Sequence, residues 1–267
     1  MTAKINITHL KKIKCFIFDM DGTIYLGSRL LPGAAELLTY FQKQAVPYYF
    51  LTNNSSKSKL DYVKKLEAFN LPVTPDQIFT SGEATAIYLK REKPGTRLFV
   101  VGTPSLEAEF KRYGFDLVQD NPDTVILGFD TTLTYEKIWK LCDFVRDGLP
   151  YIATHPDINC PTESGFMPDI GAIMALVSTS TGREPDLIIG KPHPPIIQAI
   201  LDKTGLPACQ LAMVGDRLYT DIALGKAGIS TILVLSGETR RKDIPDAPVQ
   251  PDFIFENLAE FYKILRS

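Results

Sequence analysis

Asp19 and Asp21 stand two residues apart in the run Asp19-Met20-Asp21-Gly22-Thr23, directly after the apolar segment Cys15–Phe18. Two carboxylates just past a buried strand both reach the crevice at its carboxyl end, where open α/β sheets bind ligands. One can attack or hold a metal while the other moves protons. Alone, such a string is also an ordinary turn. Three further segments argue for a site: Thr52-Asn53-Asn54-Ser55 after YYFL, Lys191 within IIGKP, and Gly215-Asp216-Arg217 with Thr220-Asp221 after LAMV. Each falls at the end of an expected strand.

Phosphoryl transfer explains these residue types. The group carries concentrated negative charge, so most of the work is positioning and neutralising it. A carboxylate nucleophile can accept it as an acyl phosphate, and a second acid can serve the leaving oxygen and then water. Two approaching anions require a cation. Mg²⁺ suits one or two carboxylates, a carbonyl, phosphate oxygens and waters. A hydroxyl with backbone amides at a helix N-terminus, as in Thr52-Asn53, can hold phosphate oxygens. Lys191 adds a compact positive charge.

The elements that must position these groups alternate. Short apolar runs at Cys15–Phe18, Tyr48–Thr52, Leu98–Val101, Thr124–Leu127, Tyr151–Ala153, 187–189, 212–214 and 231–235 read as strands, with Phe253–Phe255 as an edge strand. Helical patterns lie between them at Ala34–Lys43, 57–69 with Ser55 or Ser56 as cap, and Tyr135–Arg146 with Thr134 as cap. Others are at 172–181, 195–203, 220–227 and Leu258–Leu265. The fold class is therefore α/β with a largely parallel sheet.

Bulk properties narrow the partners. The chain has 267 residues, 45% of them hydrophobic, enough for one large domain or two modest ones. Its 29 basic and 31 acidic residues argue against a nucleic-acid partner held by a basic surface. No apolar run approaches a membrane span, and no segment reads as a signal peptide. Cys15, Cys142, Cys160 and Cys209 form no CxxC pair. They read as thiols of a reducing compartment, so the expected location is the cytoplasm.

In these four segments the chain resembles the haloacid dehalogenase-like superfamily over nearly its whole length. The resemblance implies a doubly wound parallel, Rossmann-like core sheet. It implies Asp19 as nucleophile and Mg²⁺ ligand, and Asp21 as general acid/base with its carbonyl also on the metal. Thr52 and Asn53 would bind the phosphoryl group, with Lys191 bridging it to the nucleophile. Asp216 would ligate the metal and Asp221 would support it. An acid at position 21 indicates phosphomonoester hydrolysis or sugar-phosphate mutation. The set DMDGTIYLG, TNNSS, GFD, ATHPD, TGREP, GKP and GDRLYTD resembles subfamily IIA, the NagD or p-nitrophenylphosphatase-type branch.

From Asp19 to Thr52 there are 33 residues, which one loop, one helix and one strand fill, so a mutase-type helical cap has no room. From Thr52 to Lys191 there are 139 residues. A smaller α/β cap domain (type C2) is expected over residues 84–187, inserted into a core formed by 1–83 and 188–267. The expected function is an Mg²⁺-dependent phosphatase acting on small phosphomonoesters through an aspartyl phosphate. Its partner would be a small phosphorylated metabolite, with a homodimer as an option. Rivals are a phosphotransferase or mutase on the same scaffold, and a phosphometabolite-binding regulator. In the expected cap, His155 and Asp157 are candidates to contact the leaving group. Asp169 reads as a helix N-cap, Arg217 as a partner for an acid, and Trp139 as a core residue.

Overall fold

The computed structural model describes residue 10 and residues 12–71, 73–162 and 165–266. Its strands in chain order are β1 Cys15–Phe18, β2 Tyr25–Leu26, β3 Arg29–Leu30, β4 Tyr48–Thr52, β5 Ile78–Thr80, β6 Leu98–Val101 and β7 Thr124–Leu127. They continue with β8 Tyr151–Ala153, β9 Asn159–Thr162, β10 Gly165–Pro168, β11 Leu187–Ile188, β12 Leu211–Gly215, β13 Ser230–Val234 and β14 Phe253–Phe255. The α-helices are α1 Ala34–Lys43, α2 Lys59–Glu67, α3 Ser81–Glu92, α4 Pro104–Arg112, α5 Tyr135–Arg146, α6 Ile170–Thr181, α7 Pro194–Thr204 and α8 Leu258–Leu265. Among the described residues no helix is long and apolar enough to cross a membrane.

The chain forms two compact units. The first comprises Met1–Leu51, Lys65–Ile78 and Ile200–Ser267; the second comprises Thr52–Lys64 and Phe79–Ala199. The larger sheet runs in the order β14-β13-β12-β1-β4-β5. Strands β14, β13, β12, β1 and β4 pair in parallel. From β1 the chain proceeds outward through β4, and later returns at β12 on the other side. This reversal is the topological switch where α/β sheets bind ligands. Asp19 follows β1 and Asp216 follows β12.

The apolar continuity of the strands reflects burial on both faces. All four residues of β1 and all five of β12 and β13 are buried. Phe16 stacks on Phe41 of α1 at 4.7 Å between ring centroids, and Phe255 stacks on Phe261 of α8 at 5.1 Å. Each such ring, fully buried, contributes roughly 2–3 kcal/mol. The second unit carries its own parallel sheet, in the order β11-β8-β7-β6, and an antiparallel hairpin of β9 and β10. Its core joins Phe99, Val101, Val125 and Leu127 to Ile138, Leu141 and Val145 of α5 and to Ile170, Met174 and Val177 of α6.

Several expectations need correction. Helix α2 begins at Lys59, not residue 57, because Ser58 and Asp61 cap it mutually: Ser58 N–H donates to Asp61 Oδ2 at 2.9 Å and Asp61 N–H to Ser58 Oγ at 3.4 Å. Ser55 is drawn elsewhere, as described below. Residues 222–227 close a 3₁₀ helix in place of a full α-helix over 220–227. Trp139 is 61% exposed rather than in the core. It lies about 100° round α5 from Ile138, off the stripe that faces the sheet.

Candidate active site

Three carboxylates converge in the first unit. Asp19, Asp216 and Asp221 are buried, and each offers an oxygen within 4.8 Å of the others. The local chain explains the convergence. Asp19 continues β1, with its N–H donating to Val214 O of β12 at 2.8 Å. Asp216 caps the end of β12, and its Oδ2 accepts from Glu238 N–H at 2.6 Å. Asp221 turns back onto the same loop, accepting from Arg217 N–H at 3.1 Å. Gly22 makes the approach possible: its φ is +86°, and a Cβ there would lie 2.5 Å from Asp216 Oδ2.

The electrostatics are unfavourable as they stand. Asp216 Oδ1 is buried without a hydrogen-bond partner. Burial, then the charge of Asp221, raises the Asp216 carboxyl above its ordinary range, while Arg217 opposes the rise. Arg217 is itself paired with Glu238, Nε to Oε2 at 3.0 Å, the acid partner its place in the sequence suggests. An orphaned buried carboxylate oxygen among three acids fits a divalent cation, and an all-oxygen donor set suits a hard one such as Mg²⁺.

Asp21 is set apart from that triad. Tyr25 donates its hydroxyl to Asp21 Oδ2 at 3.4 Å, and Lys65 Nζ lies 3.9 Å from Oδ1. The Lys65 ammonium also sits 3.6 Å from the centroid of the Tyr25 ring. This carboxylate is thus more open than the metal-type group, with a 23% exposed side chain.

The second unit collects the other expected residues. Thr52, Asn53, His155, Asp157 and Lys191 are all buried. Thr52 Oγ1 accepts from Asn54 N–H at 3.1 Å. Asn53 Nδ2 donates to Asp157 Oδ1 at 2.9 Å and to Lys191 O at 3.1 Å, while Asn53 Oδ1 accepts from Lys191 N–H at 2.8 Å. His155 Nε2 meets Asp169 Oδ1 at 2.9 Å, and Asp169 also caps α6 by accepting from Ile170 N–H. A carboxylate there only accepts, so Nε2 donates to it, and Nδ1 lies 3.0 Å from Thr154 Oγ1. Thr154 in turn meets Ser55 Oγ at 2.9 Å, and Ser55 Oγ accepts from Phe129 N–H at 2.9 Å.

Two models of one family match the sequence. A haloacid dehalogenase-like hydrolase model covers residues 16–116, and a second HAD-like hydrolase model covers 188–261. An acid sugar phosphatase of Staphylococcus epidermidis is 36% identical over 251 residues, spanning 93% of this chain and 96% of that protein. The chain belongs to the haloacid dehalogenase-like hydrolases. Within them it falls in the NagD and p-nitrophenylphosphatase branch. The crystal structure of a 4-nitrophenylphosphatase from Thermotoga maritima superposes with a TM-score of 0.93 at 50% identity, covering 96% of this chain and 99% of that one. NagD of E. coli superposes at 0.85 with 36% identity, covering 93% and 98%.

For this family member, the sequence leaves a direct substrate contact open to His155. His155 has no exposed surface, and its ring nitrogens lie against Thr154 Oγ1 and Asp169 Oδ1. Asp157 Oδ1 accepts from Asn53 Nδ2. Ser81 escaped the sequence reading. Its hydroxyl donates to Asn53 O and lies 3.4 Å from His155 Nδ1, joining residues 74 positions apart. Only its place beside the cap residue Thr80 marks it in the sequence.

Proposed function

We propose that the protein hydrolyses small phosphomonoesters through a phosphorylated Asp19, with Mg²⁺ held by Asp19, Asp216, Asp221 and the Asp21 carbonyl. The carrying observation is the buried three-carboxylate group with its orphaned Asp216 oxygen, in a chain of this hydrolase family. Acid sugar phosphatase and 4-nitrophenylphosphatase relatives support the substrate class. The bound ion would supply charge neutralisation that lets an anionic ester approach a carboxylate.

Asp19 attacks phosphorus as the bond to the ester oxygen breaks, and Asp21 delivers a proton to that oxygen. Water then attacks the acyl phosphate, Asp21 accepts its proton, and Asp19 returns with release of inorganic phosphate. Thr52 and the backbone at Asn53 hold phosphoryl oxygens, and the Lys191 ammonium balances their charge. His155 and Asp157 build the binding side and transfer no proton in either step. In this reading residues 84–187 form the cap and 1–83 with 188–267 the catalytic core. Cys15, Cys142, Cys160 and Cys209, none of them in a disulfide, fit a cytoplasmic setting.

Phosphate release from p-nitrophenyl phosphate, sugar phosphates and nucleotides, with and without Mg²⁺, tests the reading. EDTA should abolish turnover and Mg²⁺ should restore it. Mg²⁺ should also raise the melting temperature of the free protein, since a ligand bound only by the folded state stabilises it. Full turnover in EDTA would overturn the metal assignment, and no phosphate release from any ester by folded, Mg²⁺-loaded protein would overturn the hydrolase reading.

Asp21→Asn gives a second result. An alkyl phosphate needs its leaving oxygen protonated, whereas p-nitrophenolate departs without that help. The variant should lose about 10²-fold or more of its rate on alkyl esters and much less of its phosphorylation rate on p-nitrophenyl phosphate. Equal losses in single-turnover phosphorylation of the two would remove Asp21 from the acid role.

A further inference from the structure

The Asn53 side chain and the Lys191 backbone form a closed pair. Asn53 Oδ1 accepts from Lys191 N–H at 2.8 Å and Asn53 Nδ2 donates to Lys191 O at 3.1 Å. One side-chain amide thereby satisfies both main-chain groups of a residue 138 positions away, as a neighbouring strand would. Its remaining Nδ2 hydrogen goes to Asp157 Oδ1 at 2.9 Å, which fixes which way the amide faces. Nothing in the geometry leaves the Asn53 side chain free for a phosphate oxygen.

The clamp is built into the surrounding backbone. Gly190, just before Lys191, comes so close that a Cβ there would lie 2.6 Å from Asn53 Oδ1, 2.7 Å from His155 Cβ and 2.8 Å from Thr154 O. Gly190 N–H donates to Thr154 O at 2.8 Å. On the other side, Ser81 donates to Asn53 O, and Ser81 lies against the His155–Asp169 pair. The main chain at both Asn53 and Lys191 is thus anchored to one buried polar network.

We propose that Asn53 is a positioning residue that acts on the reaction through Lys191, its side-chain amide fixing the lysine backbone so that the ammonium meets the phosphoryl group. The proposal rests on the reading that Lys191 balances phosphoryl charge. A lysine side chain is a point charge on a flexible four-carbon stem, so the place of its Cα decides where the charge falls. Misplacement by about 1 Å can cost 10²-fold in rate. Only an amide of this length fits the pair. Aspartate would set an acceptor against Lys191 O and Asp157, alanine would remove the side-chain amide that both Lys191 main-chain groups meet, and glutamine would overshoot by a methylene.

A double-mutant cycle tests it in the full chain, with Asn53→Ala, Lys191→Ala and the pair. The readouts are kcat/KM on p-nitrophenyl phosphate and calorimetric affinity for inorganic phosphate in the presence of Mg²⁺. Asn53→Ala should lower kcat/KM and phosphate affinity by about tenfold or more. In the Lys191→Ala background it should cost less than about twofold further, because the group it positions is gone. Equal losses in both backgrounds would overturn the proposal while leaving Lys191 in its role. If Lys191→Ala alone changes neither readout, the reading of Lys191 fails and the positioning role falls with it. Should Asn53→Ala not fold, Asn53→Asp keeps the shape and the acceptor for Lys191 N–H, and must show the same non-additivity.

Discussion

Asp19→Asn is expected to reduce phosphate release by at least about 10³-fold while leaving the fold intact. An amide oxygen is not a nucleophile toward phosphorus at neutral pH, so no acyl phosphate forms and the second half of the reaction has nothing to hydrolyse. The fold should survive because asparagine is nearly isosteric and the main-chain tie from Asp19 N–H to Val214 O does not involve the side chain. Removing one of three converging buried acids also relieves repulsion with Asp216 and Asp221. Acid-quenched wild-type protein turning over p-nitrophenyl phosphate should carry a phosphoryl group on the peptide containing Asp19. The asparagine variant should carry none. Steady turnover at near wild-type rate by the variant would remove the covalent route and leave direct attack by water.

The four strand-end motifs were legible because chemistry constrains residue type and the sheet constrains place. Asp19 and Asp216 must follow β1 and β12, and apolar runs announce both strands. The buried network behind Lys191 was not. It joins Asn53 to Ser81, Thr154, His155, Asp157 and Asp169, residues of ordinary types that only folding brings together. Helices α3 and α4 also escaped, for separate reasons. The first turn and a half of α3, Ser81, Gly82, Glu83, Ala84, Thr85 and Ala86, is buried all round and made of small or polar residues, so no apolar stripe shows until Leu89. Helix α4 has nine residues, and its clearest mark is the cap Thr103 followed by Pro104. Trp139 misled by its size: Ile138, Leu141, Cys142 and Val145 already define the inward face of α5.

Glu109→Gln should stabilise the protein, with the gain growing as pH rises. Glu109 of α4 and Glu83 of α3 are both buried, and Glu109 Oε1 and Glu83 Oε2 have no hydrogen-bond partners. Lys59 Nζ, at 2.7 Å, and the Tyr113 hydroxyl, at 2.8 Å, both serve Glu83 Oε1, so the cation beside the pair favours Glu83. Thr80 Oγ1 reaches Glu109 Oε2 only at 3.5 Å. Burial, reinforced by the charge of Glu83 and opposed by Arg112 and Lys59, pushes the Glu109 carboxyl from 4.5 up to about 7. The folded state therefore binds this proton more tightly than the unfolded chain. The stability it contributes is fully present below about 4.5 and is lost as pH rises through about 7. The shift corresponds to roughly 3 kcal/mol between those limits. Glutamine keeps the shape without the ionisation. In urea unfolding at several pH values, the variant should match wild type near pH 4.5, gain through neutrality, and hold a constant advantage above it. An advantage independent of pH would mean that Glu109 does not titrate in this range.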